Sequence, residues 1–130
     1  MILDTRQVKC WGANTTSSSV YLTKNGYEEL LARGDGAGEM GDCLGTLSLG
    51  TGVLASEIFG GFNAYCVKTT DQRLKCWGVN TNGQLGLGDT INRGGAANTM
   101  GDLLPFVNVG TGRTASQVTM GRSSTCAILD

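Results

Sequence analysis

An all-β fold of short antiparallel strands, grouped into propeller-type blades, is predicted by three observations. The chain repeats itself about every 60 residues, each period alternates short apolar runs with glycine-rich turns, and no long stretch carries helical spacing. The whole chain, 1–130, reads as a single domain of two tandem repeats, roughly 1–66 and 67–126.

The repeat is visible when the chain is aligned against itself. At a shift of 60, Arg33-Gly34 falls on Arg93-Gly94, Met40-Gly41-Asp42 on Met100-Gly101-Asp102, Leu49-Gly50-Thr51-Gly52 on Val109-Gly110-Thr111-Gly112, and Cys66 on Cys126. The block Val8-Lys9-Cys10-Trp11-Gly12 matches Leu74-Lys75-Cys76-Trp77-Gly78 at a shift of 66 instead, so the first copy carries six extra residues between Asn14 and Arg33. Met1-Ile2-Leu3-Asp4 matches Ala127-Ile128-Leu129-Asp130, so the two ends share one phase.

Each element follows from local chemistry. Residues 54–59 and 62–67 partly alternate apolar and polar side chains, and Gly60-Gly61 between them predicts a tight reversal. Thr69-Thr70-Asp71-Gln72 then turns the chain into a third strand over 73–77, and Asn82-Gly83 signals a two-residue turn of the type I′ kind. The glycines of Gly86-Leu87-Gly88 let backbone approach a neighbour where a side chain would block it. This blade-sized meander, repeated, suits a β-propeller.

Composition bounds the function. Ten basic and eleven acidic residues give a net charge of −1, without the basic footprint of a nucleic-acid binder. Direct nucleic-acid affinity is not expected, nor is membrane insertion, because no apolar run approaches a membrane span of about 20 residues. The start of the chain lacks the pattern of a secretory signal. With no histidine there is no Ser-His or Cys-His nucleophile pair, so no catalytic residue and no enzyme activity are expected, and no cofactor. Asp35, Glu39 and Asp42 cluster in a glycine-rich loop of the kind that can ligate calcium, but the second copy has Gly95 and Thr99 at the first two positions. A solvated turn, with no metal, is the preferred reading. Gly110-Thr111-Gly112 lacks the Lys-Ser/Thr end of a phosphate loop, Ser17-Ser18-Ser19 reads as a surface loop, and Asn14-Thr15-Thr16 matters as a glycosylation acceptor only on a secretory route.

The stretches "KCWGVNTNGQLGLGDT", "LPFVNVGTG" and "MGRSSTCAILD" resemble the repeat of the regulator-of-chromosome-condensation family. Trp77, Gly78, Asn80, Gly83, Gln84, Gly86 and Gly88 carry the motif, and Trp11 and Gly12 begin its earlier copy. The resemblance implies a propeller of typically seven blades. By analogy it also implies nucleotide exchange on a small GTPase, chromatin association, or a secreted inhibitor or ligand-binding role. The first copy departs from the motif, with "TTSSSVYLTKNGYEELLARG" where Gly-Gln-Leu-Gly-x-Gly should stand, and the family's histidine before Thr-Cys is Ala64 in one copy and Ser124 in the other.

Two blades alone would expose apolar faces and an open sheet edge, since repeat architectures usually need about three or more copies. The expectation is therefore a non-enzymatic interaction protein, a small structural or accessory subunit docked on other protein subunits or assembled with further copies of itself into a ring. A fragment of a longer propeller is the third possibility, weighted lower because the sequence runs to only 130 residues. With the turn centred near Asp71, Cys66 and Cys76 fall opposite each other on adjacent strands, close enough for a cross-strand disulfide; buried thiols in a reducing compartment are the equal alternative. By phase the partner of Cys126 is Cys10, which would need the termini together or a second molecule, and Cys43 is left over. Trp11 and Trp77 read as core or inter-blade packing. Within 24–33, Tyr27, Leu30 and Leu31 lie among good helix formers that predict a helical turn or two, either an apolar edge for a partner or a drifted surface loop.

Overall fold

The structure, a computed structural model, describes residues 1–13, 25–28 and 31–130. Strands β1 (Ala55–Gly60), β2 (Ala64–Thr69) and β3 (Leu74–Gly78) form one antiparallel sheet in the order β1-β2-β3. Strands β4 (Ala115–Met120) and β5 (Thr125–Leu129) form a second, two-stranded sheet. The predicted all-β meander is thus present, with each strand of the first blade displaced by one or two residues along the chain. Short 3-10 turns at Gly41–Cys43 and Gly101–Leu103 precede the two sheets.

The period of the sequence is also a period of the backbone. Equivalent positions share left-handed conformations: Arg6 and Gln72 (φ 63° and 66°), Gly12 and Gly78 (110° and 115°), Gly38 and Asn98 (78° and 65°), Gly50 and Gly110 (116° and 110°). Each sheet begins with a bulge at an equivalent serine, and its hydroxyl donates to the neighbouring strand: Ser56 Oγ to the Lys68 carbonyl at 3.0 Å, Ser116 Oγ to the Ile128 carbonyl at 3.0 Å.

Three sequence expectations are corrected. The first reversal is not at Gly60-Gly61: Gly60 stays in β1, and the connection runs through Gly61, Phe62 and Asn63, with Gly61 N–H donating to the Ala64 carbonyl at 2.9 Å. The glycine at 61 has another reason, since a Cβ there would lie 2.7 Å from the Gly121 carbonyl of the neighbouring sheet. Asn82-Gly83 is not a type I′ turn, because Asn82 is not in the left-handed region that such a turn demands. Instead Gly83 N–H donates to the Asn80 carbonyl at 2.9 Å, closing a loop whose hub is Asn80. The fully buried Asn80 side chain accepts from Leu85 N–H at 2.9 Å and donates to the Asp89 carbonyl at 2.9 Å.

The helical turn expected near Tyr27 is absent over 25–28, which are bends with Gly26 at φ 85° and Glu28 at φ 56°. Tertiary contacts override helix propensity there. Glu28 N–H donates to the Gly94 carbonyl at 3.0 Å, and Glu28 Oε1 accepts from Thr99 and Met100 N–H at 2.7 and 2.8 Å. Gly26 and Glu28 match Gly86 and Gly88 in left-handed conformation at the 60-residue shift, so the extra residues of the first copy precede Asn25.

The core lies between the repeats. Val8, Leu47, Leu49, Ala55, Val67, Trp77, Met100 and Leu104 form one buried cluster, and Ala64, Cys66, Cys76 and Leu85 a second.

Candidate functional site

A closely packed junction surrounds Trp77. Its indole is fully buried and stacked on Tyr65 with ring centroids 6.0 Å apart. Backbone from both repeats closes on it: a Cβ at Gly26 would lie 2.9 Å from Nε1, and one at Gly94 would lie 3.1 Å from Cδ1. These glycines are required because the ring occupies the space their side chains would fill. Asp102 crosses the same junction, its Oδ1 accepting from Thr51 N–H at 2.7 Å and its Oδ2 from Thr51 Oγ1 at 2.8 Å. Those bonds, the backbone one foremost, hold the Asp102 carboxyl below the usual carboxylate range. Lys75 Nζ donates to the Leu49 and Gly101 carbonyls at 2.6 and 2.8 Å, and burial pulls its ammonium below the ordinary lysine range.

Equivalent groups elsewhere in the chain are exposed. Trp11 is 49% exposed, although Gly12 pairs with Arg33 as Gly78 pairs with Arg93. Met40 is exposed where Met100 is buried. In the second sheet β5 pairs only with β4 among the described residues, and Ile128 is 60% exposed. Beside β5 lies a cavity of ≈ 380 Å³ whose walls include Leu74, Gly86, Val107, Val109, Thr125 and Ala127. These are the repeat equivalents of Val8, Gly26, Leu47, Leu49, Tyr65 and Val67, and of those Gly26 and Tyr65 lie against Trp77 while Leu47 shares its buried cluster.

Of the residues singled out in the sequence, Gly78 has the least room: a Cβ would lie 2.4 Å from the Asn63 carbonyl, at φ 115°. Gly83 and Gly88 sit at φ 74° and 78° in turns. Gln84 Oε1 accepts from Asn82 N–H at 2.9 Å, and its carbonyl accepts from Thr125 Oγ1 at 2.8 Å, tying the glycine-rich loop to β5. Cys66 and Cys76 are register partners on β2 and β3, with Cα atoms 4.1 Å apart, and are joined by a disulfide. Cys10, Cys43 and Cys126 are free. Within one molecule Cys10 and Cys126 form no bond, and burial pushes the Cys10 thiol up. Tyr27 faces inward: its hydroxyl donates to the Gly45 carbonyl at 2.8 Å and accepts from Cys10 N–H at 3.3 Å. Leu31 is exposed, while Leu30 and the Asn14 and Ser17 to Ser19 motifs lie outside the described residues. Glu39 Oε2 accepts from the Gly34, Asp35 and Gly36 amides at 2.9, 3.1 and 3.0 Å, so it caps its own loop.

Sequence reasoning missed the roles of Asp102, Lys75 and Glu28. The first two were detectable in principle, since Asp42/Asp102, Thr51/Thr111 and Lys9/Lys75 all recur in phase.

The description "Regulator of chromosome condensation (RCC1) repeat" matches residues 73–128, and a second description of the same repeat matches 56–84. The chain belongs to the regulator of chromosome condensation repeat family. Repeats of this family are those of propeller-type protein-interaction modules, and the two small antiparallel sheets are partial propeller blades. No curated protein matches the chain. Among solved structures, human WBSCR16 is similar with a TM-score of 0.49 and 19% identity, over 60% of this chain. The chain spans 17% of that structure's length. Among the described residues no helix is long and apolar enough to cross a membrane.

Proposed function

We propose that this family member is a non-enzymatic protein-interaction module of two tandem repeats, about 1–66 and 67–126, that works as a small structural or accessory subunit. It docks through exposed apolar side chains, Ile128 among them. One observation carries the reading. Residues 56–128 match repeats of a family of propeller-type protein-interaction modules, and large apolar side chains among them, Phe62, Ile91, Leu103 and Ile128, are exposed.

The test is cross-linked affinity capture from a cell extract with the native chain and with Ile128→Lys, which places a charge at an exposed apolar position. An interaction module loses its captured proteins in the variant while keeping its circular dichroism spectrum; an unchanged set of captured proteins overturns the reading. Exchange on small GTPases, assayed with the same chain, is the competing outcome.

A further inference from the structure

Resting on that reading, we propose that the cleft walled by Glu28, Thr46 and Ser48, at the junction of the two repeats, receives a lysine side chain of the partner protein.

The cleft measures ≈ 190 Å³, and its walls are Gly26, Tyr27, Glu28, Thr46, Ser48 and Met100. That is room for one alkylammonium side chain, and less than the roughly 300 Å³ at which sites for drug-sized ligands begin. Both repeats supply the walls, across the junction that Glu28 ties to the Gly94 carbonyl through its own N–H.

The polar walls stand where the first repeat departs from the second. The 60-residue shift sets Tyr27 and Glu28 against Leu87 and Gly88, and Thr46 and Ser48 against Phe106 and Asn108. Glutamate is a costly residue at this point, because Glu28 holds a left-handed backbone, φ 56°, that Gly88 adopts at 78° with no side chain to strain it. One carboxylate oxygen has a use inside the molecule: Oε1 accepts from the Thr99 and Met100 amides. A glutamine would accept the same two bonds, so they do not account for the charge. Among the described residues no lysine or arginine pairs with Glu28, and no donor reaches its Oε2. The side chain is half-buried, where an unpaired charge is unfavourable and a cation from outside is correspondingly welcome.

The acceptors left open match an ammonium group. Thr46 and Ser48 alternate with buried Leu47 and Leu49, so both stand on the outward side, and neither hydroxyl is bonded among the described residues. With Glu28 Oε2 they make three acceptors, and a lysine ammonium carries three donors. An arginine fork uses both oxygens of a carboxylate in its bidentate contact, and Oε1 is already taken. Met100 and Tyr27 offer apolar surface to the methylene stem. Arg33 stands over the Tyr27 ring, 5.9 Å from its centroid, and is not among the walls.

The experiment follows the amide resonances of the isotope-labelled full chain while three capped peptides are added, identical except for a central lysine, acetyl-lysine or arginine. Saturable shifts at Glu28, Thr46, Ser48 and Met100 are expected with the lysine peptide, with weaker binding of arginine and binding of acetyl-lysine weaker by roughly tenfold or more. Glu28→Gln keeps the Oε1 acceptor for Thr99 and Met100 and removes the charge, so the spectrum stays folded while lysine binding falls by roughly tenfold or more. Thr46→Val combined with Ser48→Ala, at two exposed positions, weakens it further. If Glu28→Gln fails to fold, the double hydroxyl variant and the acetyl-lysine comparison decide by themselves. No saturable shift at these residues, equal affinity for acetyl-lysine, tighter binding of arginine, or undiminished binding in folded Glu28→Gln overturns the proposal. Captured proteins that are lost in Ile128→Lys, with no binding of the lysine peptide, sink the cleft and leave the interaction reading standing. A captured set unchanged in both Ile128→Lys and Glu28→Gln overturns both.

Discussion

Trp77 and Trp11 occupy the same local sequence, follow the same Lys-Cys pair and precede a glycine in the same left-handed conformation, yet one is fully buried and the other 49% exposed. The backbone around each is set by nearest neighbours in the chain, which is why it repeats. Burial is set by what stands on the other side of the ring, which for Trp77 is Gly26, Leu47 and Tyr65 of the adjacent repeat. A repeat fold therefore carries the same side chain as a core residue or as an open contact, according to whether a neighbour is in place.

The sharpest way to break this comparison is to truncate both rings. Trp77→Ala should cost about 3–5 kcal/mol of stability, as for other buried aromatic residues, whereas Trp11→Ala should cost well under half as much. Denaturant unfolding of the two variants at low protein concentration measures the difference; equal losses would mean that Trp11 is also a core residue of the isolated chain. The following glycines give a smaller contrast. Gly78→Ala forces a Cβ to within 2.4 Å of the Asn63 carbonyl at a left-handed φ, so a loss of about 2–4 kcal/mol is expected. Gly12→Ala has the left-handed φ but nothing within 4 Å, so only the backbone strain of about 1 kcal/mol remains.

The smallest effect concerns Asp102. Because Thr51 holds the Asp102 carboxyl below its ordinary range in the folded chain, its contribution is fully present above the unfolded carboxylate value and is lost as pH falls through the lowered folded value. Asp102→Asn should therefore flatten part of the acid limb of the stability curve. Thermal melts between the neutral and acid range read this directly, and an unchanged limb in Asp102→Asn would remove the inter-repeat role of that carboxylate.

Much of the scaffold was legible because turns and strands depend on local rules. The apolar runs marked β1, β2 and β3 within two residues, and the recurrence of Met-Gly-Asp and Gly-Thr-Gly marked the second copy of each turn. The candidate site was legible only in outline: phase alone put Cys126 in register with Cys10, but it did not reveal a cavity or say which tryptophan was covered. The helix expected around Tyr27 failed for the same reason, since propensity is local while the bonds from Gly94, Thr99 and Met100 to Glu28 come from residues some 70 positions away. At Asn82-Gly83 the turn chemistry was read correctly as a reversal but not by type, because the buried Asn80 side chain dictates the loop.

The sequence by itself determined the all-β class, the 60-residue period, the cysteine register and the absence of histidine chemistry, because each depends on composition or on spacing along the chain. Only the tertiary structure decided which member of each repeated pair is enclosed: Trp77 against Trp11, Met100 against Met40, Asp102 against Asp42. Enclosure is a property of two surfaces meeting, and identical sequence on one surface says nothing about whether the other is there.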